Sequence, residues 1–244
     1  MKKAYQLLIV MGFIFLTVLS CKNDDGVDVI PPRDRGEEAI ASTAEIETYL
    51  TTHFYNYEEF ENPPADFNFR IKFDTIAGDN SSKTPLIDQV SSKMVPDRVD
   101  ETASYKIYYL VAVQGEGESP NFPDIATITY EGTYLNNESG FNRSDVFDSS
   151  TIPVRFDLTG IVPGLTDALV EMNASTGYIL NTDGTISFQN YGVGASFIPS
   201  GLAYYTNPPP GIPVYSQLIF TFLVYETERG DQENDTVPSI YDDL

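Results

Sequence analysis

Leu165-Thr166-Asp167-Ala168-Leu169-Val170-Glu171-Met172 is the stretch on which the fold turns. Leu165, Ala168, Leu169 and Met172 fall three or four residues apart, so they form one apolar stripe on a short helix. The segments on either side of it alternate with period two instead. Ala126, Ile128 and Tyr130 are interleaved with Thr127 and Thr129, Val154, Phe156 and Leu158 follow after a turn, and Leu218 to Tyr225 makes a long apolar final strand. Strand, strand, short helix, strand predicts an α+β fold in which an antiparallel sheet curls around a single helix.

Working back towards the N-terminus, Ile107, Tyr109, Val111 and Val113 alternate until Gly115-Glu116-Gly117 ends the pattern. Residues 74–104 break every periodicity and read as loop. Phe67, Phe69, Ile71 and Phe73, separated by Asn68, Arg70 and Lys72, predict a half-buried strand, and residues 57–66 an acidic, Pro-containing loop. From Glu38 to His53, Ile40, Ala44, Ile46, Tyr49 and Leu50 fall near helical spacing, with Ser42 or Thr43 available as the cap. The core domain therefore carries an N-terminal, helix-containing extension.

The first residues read as an address. Met1-Lys2-Lys3 precedes an apolar run from Ala4 to Val18, then Leu19-Ser20-Cys21 and the polar Lys22-Asn23-Asp24-Asp25. This is a secretory signal, too short and too promptly ended by acids for a transmembrane helix. Val18-Leu19-Ser20-Cys21 resembles the bacterial lipobox, which implies acylation of Cys21, the sole cysteine, and a lipid membrane as partner through it. Several acyl chains are what stable anchoring requires. Removal of residues 1–20 leaves residues 21–38 as a tether rich in Asp, Gly, Pro and Arg. At the other end, residues 229–244 form an acidic tail whose Asp231, Asp235, Asp242 and Asp243 lack the regular spacing of a calcium loop.

Composition excludes several functions. Thirty-six acidic residues against 14 basic ones give a net charge of -22, which repels phosphate backbones, so nucleic acid is not an expected partner. One cysteine and one histidine allow no disulfide framework and no Cys/His zinc site, and no metal or cofactor is expected. His53 reads as a cap or packing residue, since no nucleophile elbow accompanies it. Sixteen tyrosines and 15 phenylalanines without tryptophan suit strands around an aromatic core.

Six local strings occur in the order of one family, the FKBP-type peptidyl-prolyl isomerases. Ile128-Thr129-Tyr130-Glu131-Gly132 resembles its V-x-Y-x-G strand, and Val146-Phe147-Asp148-Ser149-Ser150 its F-D-S-S. Val154-Arg155-Phe156-Asp157-Leu158 follows, then Ile161-Val162-Pro163-Gly164-Leu165 for V-I-x-G-W, Phe197-Ile198-Pro199 with Leu202-Ala203-Tyr204 for I-P-x-x-L-A-Y, and Gly211-Ile212-Pro213 through Leu218-Ile219-Phe220 for the last strand. The resemblance covers residues 115–228, with residues 39–114 left as the extension. With its lipoprotein signal, the chain also resembles the secreted FKBP lipoproteins of Bacteroidetes-type bacteria. This implies a lipid-anchored place in the bacterial envelope, at the outer membrane and either periplasmic or surface-exposed.

The resemblance further implies isomerase activity on proline-containing polypeptide segments, assisting the folding of envelope or secreted proteins, and affinity for macrolide-type ligands of the family. It implies a cup of Tyr130, Phe156, Val162 and Phe220 with Leu165 as floor, Phe147, Tyr204 and Ile212 as walls, and Ile161 alongside. Tyr204 would donate to a substrate carbonyl, the Val162 N–H would bind another, and Asp148, held by Tyr130, would face the rotating amide. Periodicity alone would leave Phe156 and Phe220 in the core and Asp148 in a turn. Three departures bear on activity: Leu165 replaces the family's floor tryptophan, Asn173 to Gly194 is an insertion whose Asn181-Thr182-Asp183-Gly184 looks like a hairpin turn, and Tyr205 stands where glycine is usual, beside Pro208-Pro209-Pro210. A non-catalytic chaperone that binds proline segments, or a surface interaction module, is the alternative.

Overall fold

The computed structural model of the chain describes residues 31–136, 142–233 and 238–239. Cys21, the signal and most of the acidic tail lie outside these residues. Residues from Arg33 onward form one compact unit. Its elements are α1 (Arg35–Thr52), β1 (His53–Tyr55), α2 (Tyr57–Glu61), β2 (Phe73–Thr75), β3 (Ser91–Pro96), β4 (Ser104–Val113), β5 (Ile125–Asn136), β6 (Asn142–Arg143), β7 (Asp148–Asp157), α3 (Pro163–Leu169), β8 (Gly177–Leu180), β9 (Ile186–Gln189), β10 (Gly192–Ile198) and β11 (Leu218–Glu228). Among the described residues no helix is long and apolar enough to cross a membrane.

The fold is α+β, as expected. A seven-stranded antiparallel sheet runs β3-β4-β10-β11-β5-β6, with β7 also paired to β5. Period two divides each strand between two cores. On the front face Leu218, Phe220, Phe222 and Val224 of β11 join Ile107 of β4 and Leu165, Ala168, Leu169 and Met172 of the α3 segment. On the back face Ile219 of β11, Leu110 of β4 and Val193, Ala195 and Phe197 of β10 meet α1. β3 and β4, which precede residue 115, are hydrogen-bonded into this same sheet.

The helix of the extension begins earlier than its apolar spacing suggests. Asp34, not Ser42 or Thr43, is the cap, accepting from the Glu37 N–H at 2.9 Å. Ala39, Ser42, Ile46, Tyr49 and Leu50 make the buried face, while Ile40 is 74% exposed. Ile46, Tyr49 and Leu50 are almost wholly buried against the back of the sheet, each contributing about 1.5–3 kcal/mol. His53 is the C-cap residue, buried and stacked on Tyr49 at 3.9 Å.

Two further expectations are corrected. Residues 67–72 form no strand: Phe67, Phe69 and Ile71 do point inward, but Phe69 takes φ 57° and only Phe73–Thr75 pairs. The aromatic rings cluster with one another instead, Phe60 meeting Phe67 edge-on at 5.0 Å. Residues 74–104 are not all loop, because Ser91–Pro96 pairs with β4 along the sheet edge, where a polar strand is tolerated. The central strand β10 carries no alternation of polar and apolar residues, since all seven of its residues are buried. Gly192, Gly194 and Ser196 keep its front side small beneath Met172, and a Cβ on Gly194 would lie 3.0 Å from that side chain. The insertion does form the expected hairpin, β8–β9, closed by the Asn181 N–H to Thr185 carbonyl bond at 2.8 Å.

Candidate functional site

β5 and β7 set up the centre of the front face. Their pairing slips between Ile128 and Tyr130, so that Ile128 faces Val154 while Tyr130 faces Ser150 and Gly132 faces Asp148. The slip absorbs the extra residues of β7 as a bulge and brings Asp148 diagonally across from Tyr130. The Tyr130 hydroxyl donates to Asp148 Oδ2 at 2.8 Å. Burial, followed by this bond, pushes the Tyr130 phenol up to about 12. Burial and then the Asp148 charge likewise raise the Tyr204 phenol, so both remain protonated donors at neutral pH.

Rings and a helix enclose the space beside this pair. Phe156 meets Tyr130 edge-on at 5.3 Å, and Phe220 lies 6.2 Å from Tyr130 and 5.8 Å from Phe147. Gly132 makes this possible, because a Cβ there would come within 2.7 Å of Phe220 and 2.9 Å of Phe147. α3 supplies the floor. Pro163 opens it, Val162 is its N-cap, and the Thr166 hydroxyl ties it to the Leu158 carbonyl at 2.9 Å. Among the described residues the Val162 N–H donates to nothing, leaving a donor at the edge of the space.

The result is a cavity of about 400 Å³ lined by Tyr130, Asp148, Phe156, Gly160, Ile161, Val162, Pro163, Leu165, Ala203, Tyr204 and Phe220. Eight of the ten cup residues named from the sequence line it. Phe147 and Ile212 do not: Phe147 packs edge-on against Phe220, and Ile212 is buried in the front core. Gly160, Pro163 and Ala203 line it as well, without having been named as cup residues. Tyr205 does not block the cavity. With φ 52° it turns its ring away, donating its hydroxyl to the Arg33 carbonyl beneath the Arg35 guanidinium, 4.1 Å from the ring centroid. Glycine suits that left-handed backbone. Among the described residues no His, Cys, Asp and Glu cluster could hold a metal.

Such a cup has room for a small apolar ring, with hydroxyl and amide donors at its rim. It contains no activated nucleophile.

No family model matches the chain. It is 28% identical over 172 residues to the FKBP-type peptidyl-prolyl cis-trans isomerase FkpA of Escherichia coli, covering 67% of this chain and 54% of that protein. It is 34% identical over 111 residues to the probable FkpA of Neisseria meningitidis, covering 44% and 32%. The chain thus spans about half the length or less of these relatives. The crystal structure of Escherichia coli FkpA is 21% identical, with TM-score 0.43 over 79% of this chain and 62% of that one. Six motifs in family order and relatives carrying the family's name point the same way: the chain is similar to FKBP-type peptidyl-prolyl cis-trans isomerases.

Proposed function

We propose that the chain is a peptidyl-prolyl cis/trans isomerase acting on proline-containing segments of envelope or secreted proteins. The observation that carries this is the cup itself, with Tyr130, Asp148, Phe156, Leu165, Tyr204 and Phe220 around one apolar cavity. Rotation about an X-Pro bond faces a barrier of about 18–20 kcal/mol because the twisted amide loses resonance. No covalent step is needed. The site must bind the twisted amide better than either planar form, at tenfold in rate per about 1.4 kcal/mol. Phe156, Phe220 and Leu165 hold the proline ring, the Tyr204 hydroxyl and the Val162 N–H take carbonyl oxygens, and the Asp148 carboxylate faces the rotating amide. The names of the relatives support the same activity. Macrolide-type ligands would occupy the same cavity.

A protease-coupled isomerisation assay on X-Pro peptides tests the proposal, and an inert protein refutes it. Leu165→Trp refines it. Leu165 is only 4% exposed yet borders a cavity of about 400 Å³, so an indole can grow into empty space rather than overpack the core. The variant is expected to raise kcat/KM about threefold to tenfold. A loss of both activity and stability would mean that the floor does not open onto the proline subsite.

The setting belongs to the same proposal. The lipobox-like Val18-Leu19-Ser20-Cys21 and the acids after it favour a lipid-anchored protein of the Bacteroidetes-type secreted subgroup, with the domain at 115–228 carrying the activity, the extension at 39–114 adding β3 and β4 to its sheet and α1 to the back of it, and the tail at 229–244 solvated. Changing Cys21→Ala is expected to move the protein from the membrane to the soluble fraction and to abolish labelling by fatty acid. Unchanged sedimentation with membranes would remove the anchor from the proposal.

A further inference from the structure

We propose that the start of α1 sets the orientation of Tyr204, making Arg33, Arg35 and Glu38 positioning residues for the cup. This rests on the reading of the cup as a prolyl site. Tyr204 lies in a turn that begins with the 3-10 segment Ser200–Leu202, and its neighbours on both sides are held from outside the cup. Upstream, Ser200 is wholly buried and its hydroxyl donates to Glu38 Oε1 at 2.7 Å. Glu38, itself 1% exposed, also accepts from Ser42 at 3.0 Å and pairs with the Arg33 guanidinium at 2.8 Å. Gln217, past the far end of the same loop, donates to Ser42 at 3.2 Å. A buried carboxylate with three donors is a fixed point, since losing one partner strands a charge away from water.

Downstream, Tyr205 and Tyr215 both take left-handed backbone, φ 52° and 61°. Bulky residues rarely hold that conformation unless their surroundings impose it. Here the surroundings are Arg33 and Arg35. The Arg33 N–H donates to the Tyr215 hydroxyl at 3.0 Å, its guanidinium lies 4.1 Å from the Tyr215 ring centroid, and its carbonyl accepts from Tyr205. The Arg35 guanidinium covers the Tyr205 ring and pairs with the buried Asp97. The Tyr205 N–H closes the circuit by donating to the Ser200 carbonyl at 3.1 Å. Residues 200 and 205 are thus pinned to one helical turn, and Tyr204 between them has its ring aimed into the cavity. None of the three charged residues touches the cavity, so their effect on it passes through the loop.

The full chain, with its tyrosine rings labelled with carbon-13 and the Tyr204 signal assigned by Tyr204→Phe, supplies the test. Glu38→Ala is expected to shift the Tyr204 signal in the peptide-free protein and to raise KM for an X-Pro peptide about fivefold with kcat within twofold. Glu38→Gln keeps a carbonyl to accept from Ser200 and Ser42 and should bring KM back to within twofold of wild type. Ile46→Val, a destabilised control in the back core, should lower Tm while leaving the Tyr204 signal and KM unchanged. A folded Glu38→Ala protein with wild-type signal and KM overturns the inference, as does Ile46→Val reproducing its effects. If Glu38→Ala fails to fold, Ser200→Ala, which removes a single hydroxyl, decides by the same two readouts. If the wild type turns no X-Pro peptide, the prolyl reading fails alone, and the Tyr204 signal still decides whether α1 positions the ring.

Discussion

Phe220→Ala is expected to cost about 3–5 kcal/mol of folding free energy and to abolish measurable isomerase activity. Phe220 is 3% exposed and belongs at once to the front core and to the cavity wall, with Phe147 edge-on to it and Tyr130 beside it. Truncating it removes a buried ring, and Gly132 beneath offers no side chain to fill the space. A domain of ordinary stability, about 5–15 kcal/mol, still folds after such a loss, so the two effects can be measured apart. Denaturant unfolding gives the first and kcat/KM at low temperature the second. A folded variant that keeps more than about a tenth of wild-type kcat/KM would show that the cup is elsewhere.

Asp148→Ala is expected to separate these roles. Its carboxylate is exposed at the start of β7 and its recorded partner is the Tyr130 hydroxyl, so stability should change by no more than about 0.5 kcal/mol. Activity should fall about tenfold to a hundredfold, because the proposed mechanism loses its fixed charge beside the rotating amide and Tyr130 no longer has its acceptor. Steady-state kinetics and a melting curve on one preparation check both halves. Equal losses in both would make Asp148 a structural residue.

The front of the molecule was legible in the sequence because its residues obey local rules. Tyr130, Phe156 and Phe220 alternate along strands, Leu165 opens a short helical stripe, and the motif order supplied the proposed roles of Asp148, Val162 and Tyr204 that periodicity withholds. Phe147 and Ile212 were misjudged by one layer: both are apolar and near the cup in sequence, and only packing tells lining from backing. The back was harder. β10 gives no polar and apolar alternation because α1 buries the face that would otherwise meet water, so its signal is one of side-chain size. β3 hides in polar residues at a sheet edge, and α1 hides its first turn behind Asp34 and Gly36, which read as tether. Where the Tyr205 ring goes was not legible because a sequence does not reveal the sign of φ; at 52° the ring leaves the cavity for Arg33 and Arg35.

The order of strands also governs when the chain can fold. β11, the last strand, lies between β10 and β5, and β10 in turn pairs with β4, some eighty residues before it. Closing loops of that length costs chain entropy before any pairing repays it, which makes nonlocal sheets slow to form. Until residues 218–228 are available, β5 and β10 each lack a neighbour, and neither of the two cores is complete. The chain therefore commits to structure late and cooperatively, once its last strand is in place.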